Sequence, residues 1–123
     1  MSKYNSRKTV VDGIAFDSKR EATRYRELSL LLRAGKIKDL ELQKRYELIP
    51  AQYETYARYG KNGQRLKDGK RCIEQSVTYV ADFDYTDEDG NHIVEDAKGM
   101  RTEKYVIKRK LMLYFHGIRI KEV

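Results

Sequence analysis

The stretch Ile-Glu-Gln-Ser-Val-Thr-Tyr-Val-Ala-Asp-Phe-Asp-Tyr at 73–85, followed by Thr-Asp-Glu-Asp-Gly-Asn at 86–91 and His-Ile-Val-Glu-Asp-Ala-Lys-Gly at 92–99, decides the fold. Alternation predicts one long strand, with Val77, Tyr79, Ala81, Phe83 and Tyr85 on one face and Thr78, Val80, Asp82 and Asp84 on the other. The acidic, Gly-containing segment is a turn, and residues 93–98 return as a second strand. Asp82, Glu95 and Asp96 interrupt these apolar strands, and a buried carboxylate is costly unless it is paired or binds a cation. If Glu88-Asp89-Gly90 forms a type I turn closed by Gly90 in the left-handed conformation, Asp82 lies opposite Asp96, with Cβ atoms about 5 Å apart. Lys98 then shares their face. A two-residue Asp-Gly turn shifts the register by one and brings Glu95 and Ala97 there instead. Asp84 shares the face of Asp82 nearer the turn, where exposure is expected, and Glu95 on the opposite face is expected to be solvated or ion-paired.

Outward from this hairpin, Thr102 can cap a helix whose Ile107, Leu111, Tyr114 and Phe115 mark an apolar face, stopped at Gly117. Ile118, Ile120 and Val123 then supply a short terminal strand. Upstream, Leu40, Leu42, Tyr46 and Leu48 alternate with polar residues up to Pro50 and predict a half-buried strand. Ser18 with Glu21 has capping-box spacing, and the stretch from there to Gly35 lacks Gly and Pro, predicting a helix over 18–34. Its apolar stripe is Ala22, Tyr25, Leu28 and Leu32, with Leu31 beside it, and Glu21 begins that stripe, aimed at the core. Asp12-Gly13 between Val10-Val11 and Ile14-Ala15-Phe16 predicts a small ribbon. Residues 1–9, with Lys3, Arg7 and Lys8, read as a flexible basic arm. Residues 56–71 hold Arg58, Lys61, Arg65, Lys67, Lys70 and Arg71 against Asp68 alone, with three glycines, and read as a long flexible cationic loop.

With 123 residues the chain has room for one domain, 1–123. The order helix, strand, strand, strand, helix, strand predicts an α/β or α+β sheet with helices against it. The 26 Lys and Arg against 19 Asp and Glu give +7, and the mean hydropathy of −0.81 leaves no apolar run long enough for a membrane span. One Cys excludes an internal disulfide and a cysteine-based zinc finger, and a reducing cytoplasm is the expected compartment. Two isolated histidines carry neither a Cys-His nucleophile nor a His-Asn-His site, and no Gly-rich phosphate-binding fingerprint is present.

Paired carboxylates, a lysine two residues beyond one of them and a helical Glu are what metal-assisted phosphodiester hydrolysis requires. Hard oxygen ligands favour Mg²⁺ or Mn²⁺, and an ammonium beside the metal orients water and offsets developing charge. The bland alternatives are that Glu21 completes the capping box with Ser18, that Asp82 and Asp96 form structural ion pairs with Lys98, and that Gln43 points outward.

Asp82 with Asp96-Ala97-Lys98 resembles the signature of the PD-(D/E)XK nuclease superfamily. The chain is more closely similar to a phage-encoded, endonuclease-like group within it that is related to Holliday-junction resolvases. The resemblance rests on Asp-Gly-x-x-Phe-Asp-Ser-x-x-Glu-Ala-x-x-Tyr at 12–25, Gly-x-Ile-x-x-Leu-x-x-Gln at 35–43, Tyr-x-Ala-Asp-Phe at 79–83, Glu-Asp-x-Lys-Gly at 95–99, and Thr102, Tyr105 and Lys108. Ala81 stands where the signature has Pro. The resemblance implies a restriction-endonuclease-like α-β-β-β-α-β core with a central mixed sheet flanked by helices. It implies Glu21, Asp82, Asp96 and the Ala97 carbonyl as ligands to Mg²⁺ or Mn²⁺, Lys98 as the catalytic lysine, and Gln43 as a contact to the water or to Lys98. It also implies a phage or prophage protein in the cytoplasm of a bacterial host.

DNA is the expected partner, with phosphate contacts from Arg58, Lys61, Arg65, Lys67, Lys70, Arg71 and Lys108 and packing from Tyr53, Tyr56 and Tyr59. The expected activity is Mg²⁺-dependent endonuclease cleavage, with branched DNA and Holliday junctions among the substrates. The alternative is a non-catalytic DNA-binding accessory with a nuclease fold in phage replication or packaging. Cutting a junction takes two sites on one molecule, which predicts a homodimer.

Overall fold

In a computed structural model, which describes residues 8–123, the chain runs β1 (Thr9–Val11), β2 (Ile14–Phe16), α1 (Lys19–Arg33), β3 (Lys38–Ile49), β4 (Gln52–Tyr59), β5 (Arg65–Glu74), β6 (Val77–Thr86), β7 (His92–Asp96), α2 (Glu103–His116) and β8 (Lys121–Glu122). The fold is α+β. A four-stranded mixed sheet has the order β3-β6-β7-β8, antiparallel except for the parallel β7–β8 pair. The six expected core elements occur in order, with hairpin β1–β2 ahead of them and hairpin β4–β5 inserted between β3 and β6. Of the basic arm expected at 1–9, residues 1–7 lie outside the described residues, and Thr9 already belongs to β1.

Capping fixes both helices. The Ser18 side chain accepts from the Glu21 amide, and Gly35 adopts φ 73 just after the C-cap Ala34. Thr102 accepts from the Tyr105 amide, and Gly117 is left-handed at φ 67. The expected apolar faces need correction. On α1, Ala22 and Leu28 are buried, while Leu31 and Leu32 are exposed. On α2 the buried residues are Tyr105 and Met112, whereas Ile107, Tyr114 and Phe115 are exposed. The hydroxyl of Tyr105 donates to Glu122, which docks the start of α2 onto β8 and turns this face inward.

The expected single strand over 73–85 is two strands. Ile73 and Glu74 end β5, and β6 begins at Val77. Within β6 the expected one-sided face also fails. Tyr79 and Ala81 pack with Tyr105 and Met112 of α2, but Phe83 and Tyr85 pack with Ala22 and Leu28 of α1. On β3, Leu48 and Tyr46 join the first cluster and Leu40 and Leu42 the second. Both strands therefore roll over between these pairs. The pairing passes from Leu42↔Phe83 to Lys44↔Ala81 without Gln43 and Asp82, and Gln43 adopts φ 53, a left-handed conformation costly for a residue with a side chain. Helices α1 and α2 thus cover opposite faces, and the inversion lies at Asp82.

The expected loop over 56–71 is also a correction. Most of it is a twisted two-stranded ribbon with only a short turn, where the Gly60 amide donates to Gln64 and the Gly63 amide to Gly60. Every residue of β4 is exposed, and in β5 only Leu66 and Gly69 are partly covered. With no face to bury, the ribbon is held by cross-strand pairs. Arg71 lies 4.3 Å over the Tyr56 ring, Lys70 over Tyr53 and Arg65 over Tyr59, and Arg71 also pairs with Glu54. The Tyr56 ring lies so close over Gly69 that an added Cβ would stand 2.3 Å from its Cζ, so a side chain at 69 would push the exposed ring aside.

Candidate functional site

Strand register brings the two aspartates together. The β6–β7 ladder runs Thr86↔His92, Tyr85↔Ile93, Asp84↔Val94 and Phe83↔Glu95, and one further step sets Asp82 opposite Asp96. The three-residue turn is the one formed: the Asp87 amide donates to the Asn91 carbonyl, and Gly90 is left-handed at φ 84. The Asp87 side chain accepts from the amides of Asp89 and Asn91, which fixes the turn. The alternative register, with Glu95 at the site, does not occur.

Where β6 and β7 part, Asp82 accepts from the Ala97 amide at 2.8 Å and from Gln43 Nε2 at 3.2 Å. Gln43 therefore points at the site. Burial, then the Asp96 carboxyl beside it, push the Asp82 carboxyl up to about 7, against the lowering bond from Ala97. Asp96 is buried, accepts from the Tyr79 hydroxyl at 2.6 Å and lies 3.5 Å from Lys98 Nζ. The Lys98 ammonium also lies 4.5 Å over the Tyr105 ring, so it is held between a carboxylate and an aromatic face.

Glu21 lies in the first turn of α1, where its amide donates to Ser18, and among the described residues its carboxylate makes no reciprocal bond to the Ser18 amide. Burial first, then the charges of Asp17 and Asp96, raise its pKa, while Lys98 lowers it. Its charge is therefore felt at the aspartate pair. Among the described residues, no three His, Cys, Asp or Glu side chains are grouped closely enough to hold a metal ion. The two aspartates are the oxygen donors in contact, and Mg²⁺ commonly uses one or two carboxylates together with water and phosphate oxygens. That donor set suits a hard divalent cation.

Of two other acids, Asp84 departs from the sequence expectation and Glu95 meets one branch of it. Asp84 is buried, not exposed, bonded to the Tyr46 hydroxyl and 2.8 Å from His92 Nε2. Glu95 is ion-paired rather than solvated. It is fully buried and takes 2.7 Å bonds from Nε and Nη2 of Arg24, plus the Tyr85 hydroxyl. Burial raises the Glu95 pKa, but these bonds outweigh it and hold it below its ordinary value.

Of the expected DNA-binding residues, Lys108 lies on the wall of a cleft of about 310 Å³ that also includes Asp96 and Lys98. Arg58, Lys61, Arg65, Lys67, Lys70 and Arg71 lie on the ribbon or its turn and line neither this cleft nor the neighbouring one of about 490 Å³ beside Lys98. Sequence reasoning missed Tyr79 and Tyr105. A tyrosine on the buried face of a strand next to an acidic partner strand was the available signal for the first. Tyr105 stands among the residues that carry the resemblance, but no local feature of the sequence gives it a role at the site.

The chain belongs to the family described as protein of unknown function DUF1064, whose model matches residues 1–122. No curated protein and no solved structure matches the chain. Among the described residues, no helix is long and apolar enough to cross a membrane.

Proposed function

We propose that this chain is a Mg²⁺- or Mn²⁺-dependent DNA endonuclease of the PD-(D/E)XK type. The observation that carries the reading is the meeting of Asp96 and Lys98 on the wall of one cleft, with Asp82 beside Asp96 on the neighbouring strand. Asp82 and Asp96 would hold the cation, with Glu21 adding negative charge nearby. A bound divalent ion there supplies Lewis acidity to a phosphate oxygen and makes a coordinated water more acidic. The Ala97 amide and Gln43 orient Asp82, and the Tyr79 hydroxyl fixes Asp96. Lys98 orients the attacking water and offsets charge developing on the phosphate, leaving a 3′-hydroxyl and a 5′-phosphate. Branched DNA is the preferred substrate in this reading, cut by a homodimer in the cytoplasm of a phage-bearing host.

The test is nicking of supercoiled plasmid and of four-way-junction DNA with Mg²⁺, by the natural chain and by Asp96→Asn. Cleavage by the first and at least 100-fold less by the second is expected, on the scale of lost electrostatic stabilisation. No cleavage by the natural chain, or equal cleavage by both, overturns the reading. The exposed cationic ribbon favours a second reading, a DNA-binding accessory without catalysis. Calorimetry separates the two, because only the enzyme must take up Mg²⁺ or Mn²⁺ at the aspartates.

A further inference from the structure

The cleft over Asp96 holds more positive charge than its own acid can balance. Asp96 is paired with Lys98. Lys104 and Lys108, one turn apart on α2, line the same cleft, and neither has a carboxylate within ion-pair distance among the described residues. Their neighbours differ: Arg101 and Arg109 both pair with Glu122. Like charges at this helical spacing repel each other, so folding alone gives no reason for the arrangement. Burial, then the Lys104 charge, hold the Lys108 ammonium below its ordinary range. Val80 and the rings of Tyr79 and Tyr105 stand on the same wall beside Thr102, and such low-dielectric surfaces strengthen the field of two charges without carboxylate partners.

We infer that Lys104 and Lys108 seat a backbone phosphate of the nucleic acid, next to the one presented to Asp82 and Asp96. Ammonium groups bind phosphate as point charges, without the planar fork that a carboxylate ligand would favour, and a polynucleotide crossing the cleft presents phosphates in series. The inference rests on the nuclease reading for the identity of the anion. It adds a binding subsite that acts through affinity and leaves the chemical step to other residues.

The test uses the full chain carrying Asp96→Asn and a labelled duplex oligonucleotide, with affinity measured from 50 to 300 mM salt. Lys104→Gln with Lys108→Gln keeps the aliphatic stems and removes both charges. The log-log salt slope should fall by about 0.9 for the lost phosphate, and affinity near 0.1 M salt by roughly tenfold. The Tm should stay level or rise. Lys110→Gln removes a charge from the same helix outside the cleft and should change the slope by less than half as much. An unchanged slope, an equal change from Lys110→Gln, or weaker binding accompanied by a lower Tm overturns the subsite. If the natural chain binds DNA with the expected slope change but never cleaves it, the nuclease reading fails and the subsite stands. If it does not bind DNA, both fail.

Discussion

Replacing Arg24 by Met isolates the most deeply buried charge in the molecule. Glu95 is fully buried and Arg24 is 18% exposed, and two 2.7 Å bonds join them across the interface between α1 and β7. Breaking a buried pair by removing one partner costs about 3–5 kcal/mol, because the remaining charge is left without compensation. Lys121 Nζ, 4.0 Å from Glu95, and the Tyr85 hydroxyl remain in the variant, so the loss should fall near the lower end, about 3 kcal/mol. For a chain of this size that is a fall in Tm of roughly 12 °C. Urea unfolding followed by circular dichroism gives the free energy directly. Glu95→Leu together with Arg24→Met should return stability to within about 1 kcal/mol of the natural chain, since an apolar pair needs no compensation. The sign with pH is fixed as well. Glu95 is held below its ordinary 4.5 in the fold, so the pair's contribution is complete above about pH 4.5 and is lost as pH falls through the depressed value. A loss under about 1 kcal/mol for Arg24→Met at pH 7, or a double variant as unstable as the sum of the single ones, would refute this account.

Two other outcomes are expected. Asp82 has its carboxyl pushed up to about 7 from an ordinary 3.8, so the unfolded chain ionises first and stability drains away as pH rises between these values, with the full cost present above 7. Asp82→Asn should therefore be inactive yet more stable than the natural chain at pH 8, by at least about 1 kcal/mol; thermal melts at pH 4 and 8 check this, and a less stable variant at pH 8 counts against it. Replacing residues 52–74 by a short Gly-Ser link should leave one cooperative melt, because Gln52 and Glu74 are strand partners and the ribbon is exposed on both faces. DNA affinity at 0.1 M salt should drop at least tenfold, with a salt slope smaller by several units, and an unchanged slope removes the ribbon from DNA binding.

Much of the frame was legible because it is written locally. Ser18, Gly35, Thr102 and Gly117 mark helix ends through their own backbone needs, and the Glu88-Asp89-Gly90 turn set the register that placed Asp82 opposite Asp96. What escaped depends on distant partners. The ribbon over 52–74 has no buried side, so it shows no hydrophobic period, and its glycines and cations read as loop. The burial of Glu95 depends on Arg24, 71 residues away. Alternation in sequence continues unbroken through Asp82, so it cannot reveal that Tyr79 and Phe83 serve opposite helices. The choice of Tyr105 and Met112 as the inner face of α2 was hidden because lysine and arginine fill the turns between them.

The roll at Gln43 and Asp82 divides the hydrophobic interior. Leu48, Tyr79, Val94 and Met112 form one half-core and Leu28, Ile37, Phe83 and Tyr85 the other, and the boundary between them crosses β3 and β6 where Asp82 meets Gln43. Any rocking of one half against the other pivots along that seam. The distance from Glu21, carried by α1, to Asp96, whose side chain faces α2, is then the quantity that such rocking changes first.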